Sequence, residues 1–234
     1  MSPIDLVCLD ADDTLWRNEI YFRNVEAIVA DLLAPWADRE SVALRLLDVE
    51  RANIPRYGFG VKAFALSVIQ TALELSDDGI SAADVRKILA LTNTILDQPV
   101  ELLDDVVDVV EALSAQWPLV LITKGDVVHQ EAKVMESGLA AHFQSIEIVA
   151  HKDETTYARI FAQHNVAAEA VAMVGNSVKS DILPVLQLGG YAIHVPHEHG
   201  WALEHAELPN HPRVRHADTF ADVVGVLQRI LPLD

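Results

Sequence analysis

Residues 7–16 read VCLDADDTLW, an apolar run that ends in three acids within four positions. Asp10, Asp12 and Asp13 therefore stand where the chain should be entering or leaving a buried strand, and where charge is most costly. The run before them, IDLVCLD, is short, rich in β-forming residues and bounded by acids, which suits a parallel strand covered on both faces. A cluster of carboxylates at such a strand end calls for a partner that offsets their repulsion.

The pattern downstream sets the fold. From about Arg17 to Leu96 the chain has helical periodicity in NEIYFRNVEAIVADLLAPWA, RESVALRLLDVERAN, VKAFALSVIQTALEL and SAADVRKILALTNTIL. Ser81, with Asp84 three residues on, is placed to cap the last of these helices. After Pro99 the rhythm alternates. Helix LLDDVVDVVEALSAQ leads to strand PLVLIT, helix DVVHQEAKVMES, strand SIEIVA and helix ETTYARIFAQH. Strand AVAMVG, helix DILPVLQLG, strand YAIHVP and a closing helix DTFADVVGVLQRIL complete the series. Strands alternating with helices predict an α/β, Rossmann-like parallel sheet with helices on both faces and right-handed crossovers. The expected organisation is an α/β core of residues 1–16 and 97–234, with an all-α domain of residues 17–96 inserted into it.

Composition narrows the function classes. The chain has 234 residues, 51% of them hydrophobic, and a formal net charge of −18. That balance argues against nucleic acid or an anionic membrane as the main partner, since both need basic patches, but leaves room for a small phosphorylated metabolite. No stretch approaches about 18 uninterrupted apolar residues, and the opening MSPIDLVCLD lacks the basic segment of a signal peptide. The expectation is a soluble cytoplasmic protein, monomer or homodimer. Its one cysteine, Cys8, reads as a buried thiol.

In open parallel sheets ligands bind beyond the carboxyl ends of the strands. Four strand ends here carry DADDT, TKGD, HKDE and GNSVKSD. Asp10 and Asp12 could reach one side of the turn and Asp181 could supply a third carboxylate; with a backbone carbonyl and waters this is a Mg2+ ligand set. One carboxylate could attack phosphorus while the other acts as general acid and then general base. Thr123 and Lys152 would supply a hydrogen bond and positive charge to phosphoryl oxygens.

Asp10-Ala11-Asp12-Asp13-Thr14, Thr123, Lys152 and Gly175 to Asp181, in that order, resemble the four motifs of the haloacid dehalogenase-like hydrolases. The helical block also lies where one branch of that family inserts a cap between the first two motifs. The resemblance implies that Asp10 is a nucleophile forming an aspartyl-phosphate, with Asp12 as acid/base lending its backbone carbonyl to Mg2+. It implies that Thr123 binds phosphoryl oxygen, Lys152 neutralises nucleophile and phosphate, and Asp181 holds the metal. Two positions depart from the pattern. Asn176 stands where the fourth motif usually has Asp, a neutral and poorer metal ligand, and Asp13 stands where many members have Gly.

Further candidates are softer. Lys124 and Gly125 adjoin Thr123 and are substrate-binding candidates, although a solvent-facing Lys124 is the favoured placement. In NIPRYGFGVKAF, residues 53–64, Pro55, Gly58 and Gly60 break the helical texture; the segment is either a helix connection or a specificity loop using Arg56 and Lys62. His194, His197, His199, His205, His211 and His216 have no helical zinc spacing and read as loop or rim residues. Trp36 and Trp117 read as core. The expected activity is a Mg2+-dependent phosphomonoesterase with a closing helical lid. The alternatives are carbon–halogen hydrolysis or a phosphomutase on the same nucleophile, or a binding protein without chemistry.

Overall fold

The computed structural model describes residues 3–230. It holds a six-stranded sheet whose neighbouring strands all pair in parallel: β1 Leu6–Leu9, β2 Leu119–Lys124, β3 Ser145–Val149, β4 Val171–Gly175, β5 Tyr191–His194 and β6 Val214–His216. Their spatial order is β3-β2-β1-β4-β5-β6, so β1 lies at the switch point between β2 on one side and β4 on the other. The helices are α1 Glu19–Leu33, α2 Arg39–Tyr57, α3 Val61–Leu75, α4 Ala82–Leu96, α5 Val106–Ser114, α6 Val127–Glu136, α7 Glu154–Gln163, α8 Leu183–Gln187 and α9 Val223–Gln228.

The chain groups into two units. One comprises the chain up to Arg17, Val100–Lys124 and the chain from Gln130 on; the other comprises Asn18–Pro99 with Gly125–His129. In the sheet unit, alternate strand residues feed opposite cores, which is why β1, β2 and β4 read as unbroken apolar runs. Val7, Leu9, Leu121 and Val174 join Val110 and Leu113 of α5 on one side. Leu6, Cys8, Ile122 and Met173 join Tyr157 and Phe161 of α7 on the other. Each such side chain contributes about 1.5–3 kcal/mol of burial. Burial also pushes the Cys8 thiol up, away from the reactive thiolate. In the helical unit Leu33, Leu46, Phe64, Val68 and Ile88 form a separate core across α1 to α4, with Phe22 edge-on to Phe64 at 5.0 Å. Ser81 accepts a hydrogen bond from Asp84 N at 3.1 Å and caps α4, as its spacing predicts.

Several boundaries differ from the sequence reading, each for a local reason. α2 runs through Pro55 to Tyr57 and stops only at Gly58, whose φ is +71°. Asp105 adopts a left-handed φ of +63°, so α5 begins at Val106 rather than near Leu102. Residues 178–182 form a π-helical turn before α8. The closing helix starts as a short 3-10 turn at Phe220–Asp222, and its expected last residue, Leu231, lies outside the described residues. β6 falls in a stretch read as loop: three charged or polar-flanked residues carry no periodicity, yet their backbone extends β5. Trp117 is buried, whereas Trp36 is 40% exposed in the turn after α1. No helix among the described residues is long and apolar enough to cross a membrane.

Candidate active site

Asp10 follows β1 directly, and its N–H still donates to Val174 O at 2.9 Å, so the strand ladder fixes where its side chain starts. The chain then turns sharply, with Ala11 O accepting from Thr14 N and Leu15 N, and Asp13 taking φ +59°. That angle accounts for the departure at position 13. The turn demands a left-handed residue, which Gly meets freely and Asp tolerates better than most side chains.

The fourth motif approaches from β4. Ser177 caps the π-helical turn by accepting from Ser180 N, and the turn folds Asp181 back over Gly175. A Cβ at Gly175 would lie 2.3 Å from Asp181 Oδ2, so only glycine leaves room for this carboxylate. Ser177 N donates to Asp181 Oδ2 at 3.0 Å.

Lys152, beyond β3, completes the group. Its buried ammonium donates to Asp181 Oδ1 at 2.7 Å and to Asp10 Oδ1. Thr14 Oγ1 lies 3.3 Å from both Asp10 Oδ2 and Asn176 Oδ1 and accepts from Asn176 N at 3.2 Å. The structure thus brings Asp10, Lys152, Asn176 and Asp181 together, with Thr14 as the link.

Charge in this group is unbalanced. Burial, then the neighbouring Asp181 carboxylate, push Asp10 up to about 7 despite Lys152. Burial disfavours the Lys152 ammonium, yet Asp10 and Asp181 together hold its proton more firmly than usual. Two carboxylates and one ammonium leave a net negative cluster in a low-dielectric setting.

Asp12 points elsewhere. Its carboxylate accepts from Trp16 Nε1 at 2.7 Å, Gln130 Nε2 at 2.7 Å and Lys133 Nζ at 2.5 Å. Burial would raise it, but Lys133 and these hydrogen bonds hold it below the usual carboxylate range. The expectation is that the carboxylates of Asp10, Asp12 and Asp181 share one ion; here the Asp12 side chain pairs with Lys133, and Asp10 and Asp181 pair with Lys152. Among the described residues no group of three or more His, Cys, Asp or Glu is placed to hold a metal ion. What remains for Mg2+ is the hard-oxygen set of Asp10, Asp181, the Asn176 amide and the Asp12 backbone carbonyl. That set suits an ion that keeps several waters, and the excess negative charge around Asp10 favours a cation there.

Thr123 is the next-to-last residue of β2, with its Oγ1 buried and without a hydrogen-bond partner among the described residues, so a ligand oxygen could complete it. Lys124 does not face solvent as favoured. It donates to Ser180 Oγ at 2.8 Å and pairs with Glu204 at 2.5 Å, because Glu204 returns on the segment after β5. Glu204 also accepts from Ser177 Oγ at 2.7 Å. Gly125 has φ +145°. Arg56 is exposed on α2, and Lys62 pairs with Asp126 at 2.8 Å; these residues belong to the helical unit.

The histidines are not all in loops. His194 and His216 face each other across β5 and β6, with ring centroids 5.7 Å apart, and His194 Nε2 lies 3.1 Å from Asn176 O. Sequence reasoning missed Gln130, Lys133 and Glu204. The available signal was a Gln and a Lys three positions apart, on the face of α6 that also buries Val134. For Glu204 no local signal exists, since it meets Lys124 across 80 residues of chain.

The acid-ended parallel sheet carries a buried lysine between two aspartates. A family model for haloacid dehalogenase-like hydrolases matches residues 4–189, and the chain belongs to that family. It is 38% identical to a haloacid dehalogenase-like family hydrolase from Xanthomonas campestris, covering 97% of this chain and 92% of that one, with a TM-score of 0.87. A 2-haloacid dehalogenase from Pseudomonas syringae pv. tomato shares the fold at 23% identity, covering 97% of this chain and 99% of that one, with a TM-score of 0.62. A predicted phosphoglycolate phosphatase from Haemophilus somnus does so at 15% identity, with the same coverages and a TM-score of 0.65. A search among curated proteins returned no match.

Proposed function

We propose that this hydrolase is a Mg2+-dependent phosphatase acting on a small soluble phosphomonoester. The observation that carries the reading is the second aspartate. Asp12 is present and held by three donors, as a residue reserved for proton transfer would be. Carbon–halogen hydrolysis releases halide, a leaving group that needs no proton, and leaves such a residue only the activation of water, whereas a phosphate ester uses it in both halves of the cycle.

An Asp10 carboxylate oxygen attacks phosphorus, forming an aspartyl-phosphate as the ester P–O bond breaks. Asp12 gives its proton to the departing oxygen. Water then attacks phosphorus, Asp12 takes the water proton, and the Asp10–phosphorus bond breaks to restore the carboxylate. Lys133 favours the ionised form of Asp12, the base of the second half of this cycle, so for the first half Asp12 takes up a proton from solvent before the ester bond breaks. Lys152 neutralises charge on Asp10 and on the phosphoryl oxygens, while the free Thr123 hydroxyl donates to one of those oxygens. When bound to Asp10, Asp181, Asn176 and the Asp12 carbonyl, Mg2+ would supply Lewis-acid stabilisation of phosphoryl charge.

The test is a panel of sugar phosphates, nucleotides, bisphosphates and aryl phosphates assayed with and without Mg2+, beside 2-chloropropionate without metal. Phosphate release that needs Mg2+ and disappears in Asp10→Asn supports the reading. Halide release without metal, and no phosphate from any ester, would replace it with the dehalogenase.

A further inference from the structure

Gln130 and Lys133 are an amide and an ammonium in places where neither should be cheap. They are only 3% and 8% exposed, and each is buried at a cost unless its polar atoms are bonded. Both donate to Asp12, while Gln130 Oε1 is buried with no hydrogen-bond partner among the described residues. Gln130 Nε2 also donates to Lys124 O at 3.0 Å, so this nitrogen faces two acceptors. The amide orientation follows, since a flipped side chain would set its oxygen against both. Trp16, itself fully buried, closes the third side through Nε1.

A carboxylate so held would have to give up three donors to swing toward Asp10. In this place its charge is only the least of the influences that raise Asp10; nearer, it would add a third negative group to a cluster that already contains Asp10 and Asp181 around one ammonium. We infer that Gln130, Lys133 and Trp16 are positioning residues that hold the Asp12 carboxylate in one orientation, apart from the Asp10–Lys152–Asp181 group, ready for proton transfer. The kinetic consequence rests on the phosphatase reading; the contact itself does not. Lys133 sets charge and Gln130 sets direction, tying Asp12 to the end of β2.

Lys133→Met, Lys133→Arg and Gln130→Leu are assayed in the full chain with p-nitrophenyl phosphate and glycerol 2-phosphate in Mg2+. Urea unfolding of Asp12→Asn, Lys133→Met and the double variant is measured alongside. The expected result is a tenfold or larger fall in kcat for Lys133→Met and Gln130→Leu, with KM within about twofold. Lys133→Arg should recover most of the loss, and the double variant should be no less stable than Lys133→Met alone. A rise in KM at unchanged kcat, no recovery by arginine, or additive destabilisation in the double variant would overturn the inference. Should the wild type release phosphate from neither ester, the phosphatase reading is what fails on these substrates. The unfolding cycle then decides alone: non-additivity keeps the clamp, and additivity removes it.

Discussion

Lys152 Nζ lies 2.7 Å from Asp181 Oδ1, and the same ammonium contacts Asp10, so one lysine from beyond β3 bridges two buried carboxylates, one following β1 and the other following β4. Removing it strands both. Lys152→Met should cost about 3–5 kcal/mol of stability, the usual penalty for breaking a buried pair, and abolish turnover. Urea unfolding and initial rates check this.

Asp10 carries the opposite expectation. Burial and Asp181 push it up to about 7, whereas the unfolded carboxyl titrates near the ordinary value of about 4. The unfolded chain therefore releases this proton first. Metal-free stability should fall as pH rises from about 4 to about 7, by at most about 4 kcal/mol from this group. Asp10→Asn should flatten that fall and melt higher than wild type at pH 8. Added Mg2+ should raise wild-type melting there, by about 2.7 kcal/mol at a hundredfold excess over Kd, and raise it less in Asp181→Asn.

Glu204 behaves in the usual acidic sense. Burial would raise it, but Lys124 and two serines hold it down to about 2. Its contribution is present above about 4.5 and is lost as pH falls toward about 2. Glu204→Gln should therefore cost about 2–3 kcal/mol at pH 7 and much less at pH 3, measured by denaturant midpoints at both pH values.

Thr123→Val separates folding from binding. The buried hydroxyl has no partner among the described residues, so its removal should leave stability unchanged or raise it by up to about 1 kcal/mol. Phosphate inhibition should weaken by about tenfold, the loss of roughly one hydrogen bond to a charged group.

Gly175→Ala tests the close approach at the fourth motif. The new Cβ would meet Asp181 at 2.3–2.8 Å and force that carboxylate aside. Activity should fall at least tenfold and the Mg2+ requirement should move to higher concentration, as a metal titration of the rate would show.

The sheet was legible because β1, β2 and β4 are buried on both faces and so read as continuous apolar runs ending at polar residues. Asp10, Lys152 and Asp181 were legible for the same reason: each follows a strand end that the topology gathers to one edge. What stayed hidden depends on contacts between distant segments. Lys133 meets Asp12 across 121 positions, and Glu204 meets Lys124 across 80, where no local period links them. β6 was hidden because backbone pairing, rather than an apolar pattern, makes it a strand.

The most direct measurement is the mass of the protein acid-quenched during turnover of p-nitrophenyl phosphate with Mg2+, followed by peptide mapping. One phosphoryl group on Asp10, absent from Asp10→Asn, is the predicted result. A turning-over enzyme with phosphate on another residue, or hydrolysis undiminished in Asp10→Asn, would contradict a nucleophilic aspartate at the end of β1.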